Sequence, residues 1–363
     1  MERQTYLEID SKAFIHNINI IKELVKPKEI MPVIKANAYG THINKNLNLI
    51  KNFNIVAVAI VKEAIELRNL GFKNEIFVLN QPFKEEIADI IKYNITIGVA
   101  SYNFLEELIK TKKNLKIHLE LETGMGRTGI NYEDLNKFIE KVKSSNLEVE
   151  GVYTHFAVAD TDREFTKEQI DKFTKGLNLI KQNFNLKYIH TDASNGIVNF
   201  NTDICNLTRP GIIMYGYNSC ENSCKLPLKP VAKLISKISF IKEIDKNTSI
   251  SYGRKFISQA KMKVATVSIG YADGIRRALS NVGNVVIKGQ KVPIIGTICM
   301  DSFMVDVTDI DCQEGDQVYI FDNEIITLDE IAKQCNTINY EILSTISERV
   351  PRVFKNLGVK NEV

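Results

Sequence analysis

The sequence predicts an α/β chain in two domains: a (β/α)8 TIM-type barrel over residues 11–230, then a β-rich C-terminal domain over residues 231–363, which residues 1–10 join. Three observations carry this. A chain of 363 residues exceeds what one core of ordinary size fills. Between Ser11 and Tyr215, short apolar runs alternate with stretches of helical period. Beyond Pro227–Pro230 the texture changes to strands and turns, over a length of roughly 130 residues, which suits one further domain.

In order, Asp10-Ser11 begins a helix with Phe14, Ile18, Ile21 and Val25 on one face, and Pro27 ends it. Val33-Ile34 is the first strand. Val56–Ile60 is a strand, followed by a helix over Lys62–Leu70 closed by Gly71. Ile76–Leu79 precedes a helix over Phe83–Ile91, and Ile95–Val99 one over Tyr102–Lys110. Leu115–Leu121 leads to a helix over Tyr132–Lys143. Val149–His155 leads to a long helix with Ile170, Phe173, Leu177 and Ile180 on one face, and Tyr188–His190 is again a strand. Repeated β-then-α units argue for a parallel sheet with helices outside. Eight units close into a barrel and fewer leave an open sheet, a choice that periodicity alone leaves open. Seven strands by His190, with a further segment around Gly211–Tyr215, favour the barrel. In the second domain Lys233–Ile241, Lys263–Ser268, Asn284–Ile287 and Val318–Ile320 read as strands, and Ile326–Gln334 as the one good helix. Tyr6–Ile9 reads as a strand joining them.

Bulk properties exclude several classes. A net charge of +3 gives no footprint for nucleic acid. No apolar run reaches the ~18 residues of a membrane span, and Met1–Gln4 does not begin a signal peptide. A cytoplasmic protein is expected, with its six cysteines as free thiols. Cys220 and Cys224 form the only close pair, and without a second pair or a nearby histidine they are poor evidence for zinc.

The chemistry starts at Pro32-Val33-Ile34-Lys35-Ala36-Asn37-Ala38-Tyr39-Gly40. A lysine there projects from the C-terminal end of a strand, where barrels place reacting groups. Lysine is also the side chain that forms a Schiff base with an aldehyde cofactor. The string resembles the pyridoxal-phosphate lysine motif of alanine racemases, and further segments resemble that family in the same order across both domains. The resemblance implies a homodimer with shared active sites that interconverts L- and D-alanine, a small amino acid, with pyridoxal 5′-phosphate, and so supplies D-alanine for peptidoglycan.

It also implies roles. Racemisation needs a base on each face of a planar intermediate. Lys35 would be one. Tyr252, in Ser251-Tyr252-Gly253-Arg254, would be the other, contributed by the second subunit. Arg209, in Arg209-Pro210-Gly211-Ile212, would face the pyridine nitrogen. A guanidinium does not release its proton near neutral pH, so that nitrogen stays short of full protonation. Ser194, Tyr39 and the backbone N–H groups of Gly211 and Ile212 would hold the phosphate. Arg127, in Thr123-Gly124-Met125-Gly126-Arg127, would bond the cofactor's phenolic oxygen and orient substrate. His155, in Thr154-His155-Phe156-Ala157, would contact the ring and tune Arg209. Tyr271 would stand at the entrance and Met300 beside the substrate carboxylate. His16, His42 and His118 have no comparable context.

Three positions depart from the family pattern. Glu120 replaces a lysine that is sometimes carbamylated, and a carboxylate there could orient Arg127 directly. Ala193 replaces an asparagine. Glu348 stands where some members have a tyrosine that donates to the phosphate, and a glutamate facing phosphate would be repulsive. Neighbouring readings are a racemase of serine or other small amino acids, a repurposed low-activity enzyme, and a non-catalytic cofactor-binding protein. The last would lack the second domain. A barrel-type decarboxylase would put a carboxylate, not Arg209, at the pyridine nitrogen.

Overall fold

The computed structural model describes residues 3–218 and 226–356. The chain divides into two compact units, one of Phe14–Ala38 with Ile43–Lys229, the other of Met1–Ala13 and Tyr39–His42 with Pro230–Lys360. The chain opens with strand β1 (Tyr6–Asp10), part of the second unit. Asp10 then caps the helix Ser11–Val25, its Oδ1 accepting from Lys12 N at 2.9 Å and Ala13 N at 3.3 Å. The apolar face read from the sequence (Phe14, Ile18, Ile21, Val25) is buried.

The first unit is a closed barrel. After β2 (Glu29–Ile30), strands β3 (Ile55–Val58), β4 (Glu75–Val78), β5 (Thr96–Val99), β6 (Lys116–Glu120), β7 (Glu148–Tyr153) and β8 (Tyr188–His190) follow, and β3 to β8 form one parallel sheet in chain order. Strand β9 (Leu207–Thr208) pairs with β2. Backbone links join this pair to both edges of the sheet. Val33 bridges Ala57, with Ile34 N donating to Ala57 O at 2.8 Å, and Ala193 bridges Arg209, whose N donates to Asp192 O at 2.8 Å. The eighth strand is therefore Leu207–Thr208, not the segment Gly211–Tyr215. Pro210 has no N–H to continue a ladder, and Ile212–Tyr215 winds into a buried 3-10 turn.

The strands are largely buried on both faces, as in parallel sheets whose outside is covered by helices. Their inward residues include aromatic and imidazole rings: Phe77 stacks on His118 with centroids 4.5 Å apart, and Tyr153 on His190 at 5.0 Å. Two glycines make room. A Cβ on Gly151 would lie 2.8 Å from the His118 ring, and one on Gly98 would collide with the Tyr153 hydroxyl. Two helices begin differently from their periodicity. Lys84–Glu86 and Tyr132–Asp134 are 3-10 turns that lead into Ile87–Lys92 and Leu135–Lys143.

The second unit is built on β10 (Ala232–Ile244), with a small ribbon of β11 (Ser249–Ile250) and β12 (Phe256–Ile257). Then come β13 (Met262–Val267), β14 (Asn284–Ile287), β15 (Gln290–Ile295), β16 (Phe303–Asp306), β17 (Gln317–Phe321) and β18 (Arg352–Lys355). The sheet order is β13-β16-β15-β14-β17-β10-β1-β18, and β13 also pairs with β10, which closes six of these strands into a ring. Strand β10 reaches β1, β17 and β13 through irregularities at Leu234/Ile235 and Ile238/Phe240. A second helix, Asn339–Ser344, follows Leu328–Gln334.

Candidate active site

Lys35 stands at the C-terminal end of the first barrel strand, half-buried. The four residues after it, Ala36, Asn37, Ala38 and Tyr39, have φ of 51°, 53°, 53° and 54°. A left-handed turn of side-chain-bearing residues costs ~1–2 kcal/mol per residue, so something must hold it. Ala36 N donates to Glu63 Oε1 at 2.6 Å, while Glu63 Oε2 accepts from Ala59 N at 2.7 Å and Ile60 N at 3.3 Å. One carboxylate thus pins the lysine turn to the start of the helix Val61–Asn69. Burial lowers the Lys35 pKa, and the Arg127 cation lowers it further; Glu63 opposes this and Arg209 adds to it. The amine is shifted toward its free base, the form that attacks carbonyls and accepts protons. Tyr39 is buried near Tyr340, and burial raises its pKa, so its hydroxyl stays a neutral donor.

Arg209 is only 2% exposed. Its Nη1 donates to His190 O and His190 Nδ1, both at 2.7 Å. Its Nη2 donates to Thr154 O at 2.8 Å, Thr191 O at 2.9 Å and His155 Nδ1 at 3.4 Å. Among the described residues no carboxylate forms an ion pair with it, and its Nε–H has no protein acceptor. Burial, reinforced by Arg209, lowers the His155 pKa to about 3, so this ring is neutral at physiological pH.

Ser194 Oγ accepts from Gly211 N at 3.0 Å, which commits that N–H and leaves the hydroxyl hydrogen to donate elsewhere. Ile212 follows, fully buried, at the head of the 3-10 turn. Arg127 is exposed on a loop held by Glu122, which accepts from Gly124 N at 2.5 Å and Gly126 N at 3.0 Å. Glu120 does not pair with Arg127. It accepts from Thr128 Oγ1 at 2.9 Å and Tyr153 Oη at 3.1 Å. Its side chain is committed inside the barrel, and burial raises its pKa. The first unit thus brings together Lys35, Arg127, His155 and Arg209, with Ser194 and Gly211 as a pair.

The second unit presents Tyr252, Tyr271 and Met300, which are 71%, 41% and 51% exposed. Tyr252 sits on a tight turn in which Ser251 and Arg254 have φ of 65° and 49°. Thr297 Oγ1 donates to Tyr252 O at 2.9 Å, and Ser251 Oγ to Thr297 O at 2.5 Å. Tyr271 N donates to Cys299 O and Ala272 N to Met300 O, both at 3.0 Å. These hydrogen bonds make one connected surface of three separate motifs. Glu348 Oε1 lies 3.0 Å from His42 Nε2, within hydrogen-bond reach in this unit.

Sequence reading passed over Glu63, Tyr153, His42, His118 and His190. His118 lies two residues before Glu120 on one strand, so alternation aims both into the barrel, a signal that was available. Cys220 and Cys224 lie outside the described residues.

Comparison with known proteins adds the following. The family model described as alanine racemase, N-terminal domain, matches residues 9–219, and the one described as alanine racemase, C-terminal domain, matches residues 231–354. Alanine racemase 2 of Caldanaerobacter subterraneus subsp. tengcongensis is 38% identical over 369 residues, covering 97% of this chain and 95% of the relative. The solved alanine racemase of Clostridium difficile 630 superposes with a TM-score of 0.91 at 35% identity, over 98% of this chain and 96% of that one. The alanine racemase of Bacillus anthracis, solved with bound L-Ala-P, does so with a TM-score of 0.91 at 33% identity, over 99% and 97%. With both domain models matched and full-length relatives above 30% identity, the chain belongs to the alanine racemase family.

Proposed function

We propose that this protein is an amino-acid racemase that interconverts L- and D-alanine, with pyridoxal 5′-phosphate as cofactor. The observation that carries the reading is the cationic cluster in the barrel. A half-buried amine with a lowered pKa lies in the field of two guanidiniums, and the buried one, Arg209, keeps its Nε–H for a ligand. An amine, two fixed cations and a hydroxyl suit a ligand that bears an aldehyde and a phosphate. When bound, the cofactor would delocalise the electron pair left as the α-proton departs.

Lys35 would hold the cofactor through Nζ and serve as proton acceptor and donor on one face. Arg209 would face the ring nitrogen and, because it only donates, leave that nitrogen without a proton of its own. Neutral His155 would pack by the ring. Ser194, donating its hydroxyl hydrogen, Tyr39 and the backbone N–H of Ile212 would hold the phosphate, while the Gly211 N–H orients the Ser194 hydroxyl. Arg127 would bond the cofactor's phenolic oxygen and help orient the substrate. Tyr252 of the partner subunit would be the base on the opposite face, with Tyr271 at the entrance and Met300 beside the substrate carboxylate. The exposure of these three side chains supports a surface shared between two copies. A homodimeric cytoplasmic enzyme that supplies D-alanine for cell-wall peptide is the corresponding physiological role.

The test is α-deuterium exchange in heavy water, followed by NMR with chiral analysis of products, on purified protein with the cofactor and L-alanine or L-serine. Exchange with D-alanine formation is expected. Absence of exchange on both substrates would overturn the racemase reading, and faster exchange on serine would reassign the substrate.

A further inference from the structure

We propose that Glu150, at the foot of the barrel, holds Arg209 through a chain of two imidazoles, and that His190, His118 and Glu150 are positioning residues for the reaction. The inference rests on the reading of Arg209 as the group that faces the cofactor ring.

The chain has a direction. Arg209 Nη1 lies 2.7 Å from His190 Nδ1. A guanidinium has only hydrogens to offer, so His190 Nδ1 accepts and the ring hydrogen of His190 is on Nε2. That nitrogen lies 2.9 Å from His118 Nδ1, which therefore accepts in turn, and the His118 hydrogen is on Nε2. Both rings are fully buried, and burial holds both in the neutral form: His118 has a pKa of about 3 and His190 is well below its ordinary value.

The far end is unsatisfied. His118 Nε2 and Glu150 Oε2 are both buried without a hydrogen-bond partner among the described residues. One ring nitrogen of His118 and one oxygen each of Glu75 and Glu150 lie within 4.8 Å of one another. His118 thus has a leftover N–H and its neighbour Glu150 a leftover carboxylate oxygen; the two are complementary, and one water can bridge such a pair. The other oxygen of Glu150 accepts from Lys116 at 2.7 Å and Lys187 at 3.3 Å. Arg209 has no carboxylate of its own, so a path of directed hydrogen bonds from cation to anion supplies one at a distance. A histidine flanked by two carboxylates is also a metal-ligand set. The hydrogen that Arg209 imposes on His118 Nε2 occupies the lone pair a metal would need.

The experiment uses the full-length, cofactor-loaded enzyme labelled with ring-15N histidine. The chain has five histidines, and single His→Gln variants assign them. Neutral Nε2–H rings are expected for His118 and His190. Glu150→Gln should move the 15N shifts of His118 and, one ring further, of His190, and should lower kcat about tenfold with KM unchanged; Glu150→Asp should recover part of both. An Nδ1–H tautomer or a charged ring at His118 in the wild-type protein would overturn the proposal without any variant having to fold. So would a Glu150→Gln enzyme whose His190 signal stays in place. A shift of the His118 signal on adding Zn2+, reversed by chelation, would replace the chain with a metal site. Nδ1–H rings in an active racemase would sink the chain alone. Nε2–H rings in a protein that racemises nothing would sink the functional reading and the positioning role with it.

Discussion

At the scale of single residues, the chemistry rests on groups whose charge is set by their neighbours. Lys35 is pushed toward its neutral form by burial and by Arg127. Lys35→Ala should therefore abolish the long-wavelength absorbance of the bound cofactor, measured on purified protein. Undiminished absorbance would place the anchor elsewhere. Tyr252→Phe should suppress proton removal mainly from the L-isomer, read by isotope exchange in each direction, and equal loss in both directions would contradict one base per face. The candidate residues were legible at this scale because Lys35, Arg127, His155 and Arg209 each sit inside a distinctive string, as Tyr252 does in the second unit. The partners that set their charges were not, since the contacts Glu63–Ala36 and His118–His190 join segments far apart in sequence. Glu120 is an instructive miss. A carboxylate seven residues before Arg127 suggests a direct pair, but strand alternation turns it inward to Tyr153 and Thr128.

At the scale of elements, the left-handed turn after Lys35 is the costliest local structure described here. Glu63 accepts three backbone hydrogens to keep it. Glu63→Ala leaves those N–H groups without their charged acceptor and should destabilise the first unit by about 2 kcal/mol, measured by urea unfolding. It should also slow reloading of the cofactor. A wild-type midpoint and reloading rate would show that the turn holds without it. Strands buried on both faces announce themselves as apolar runs, which is why β3 to β7 fall close to where periodicity put them. Strands β2 and β9 have two residues each, too few for any pattern, so the closure of the barrel had to come from counting. Strand β15 carries Pro293, which argues against a strand in sequence, and the helix Asn339–Ser344 and strands β16 and β18 are short elements set among turns.

At the scale of the molecule, the carboxylates at the foot of the barrel tie stability to pH. Burial, reinforced by the neighbouring Glu150 carboxylate, raises the Glu75 pKa from 4.5 to about 7. Between those values the folded chain binds a proton that the unfolded chain has released. Stability should therefore fall as pH rises from about 4.5 to about 7, by about 3 kcal/mol. Burial acts to raise Glu150, but its neighbours, Lys116 and Lys187 among them, lower it on balance. Its contribution is present at neutral pH and is lost as pH falls through its folded value. Denaturant melts across this range should show the first slope, and Glu75→Gln should flatten it; an unchanged slope would assign the effect to other groups. Activity should also depend on assembly, and a monomer that racemises at the full rate would refute the shared site.

The second unit has a further consequence. Strand β1 pairs with β18, Leu7 opposite Arg352, and on its other side with β10. Strand β1 therefore leaves the ribosome before every barrel strand, and its last neighbour emerges only after all of them. Every barrel strand is made, and can close its own ring, while that strand still has an open edge. Synthesis thus favours an order in which the barrel folds first and the β-rich unit is sealed last. A nascent chain arrested before Arg352 should still protect the barrel from protease while β1 remains cleavable.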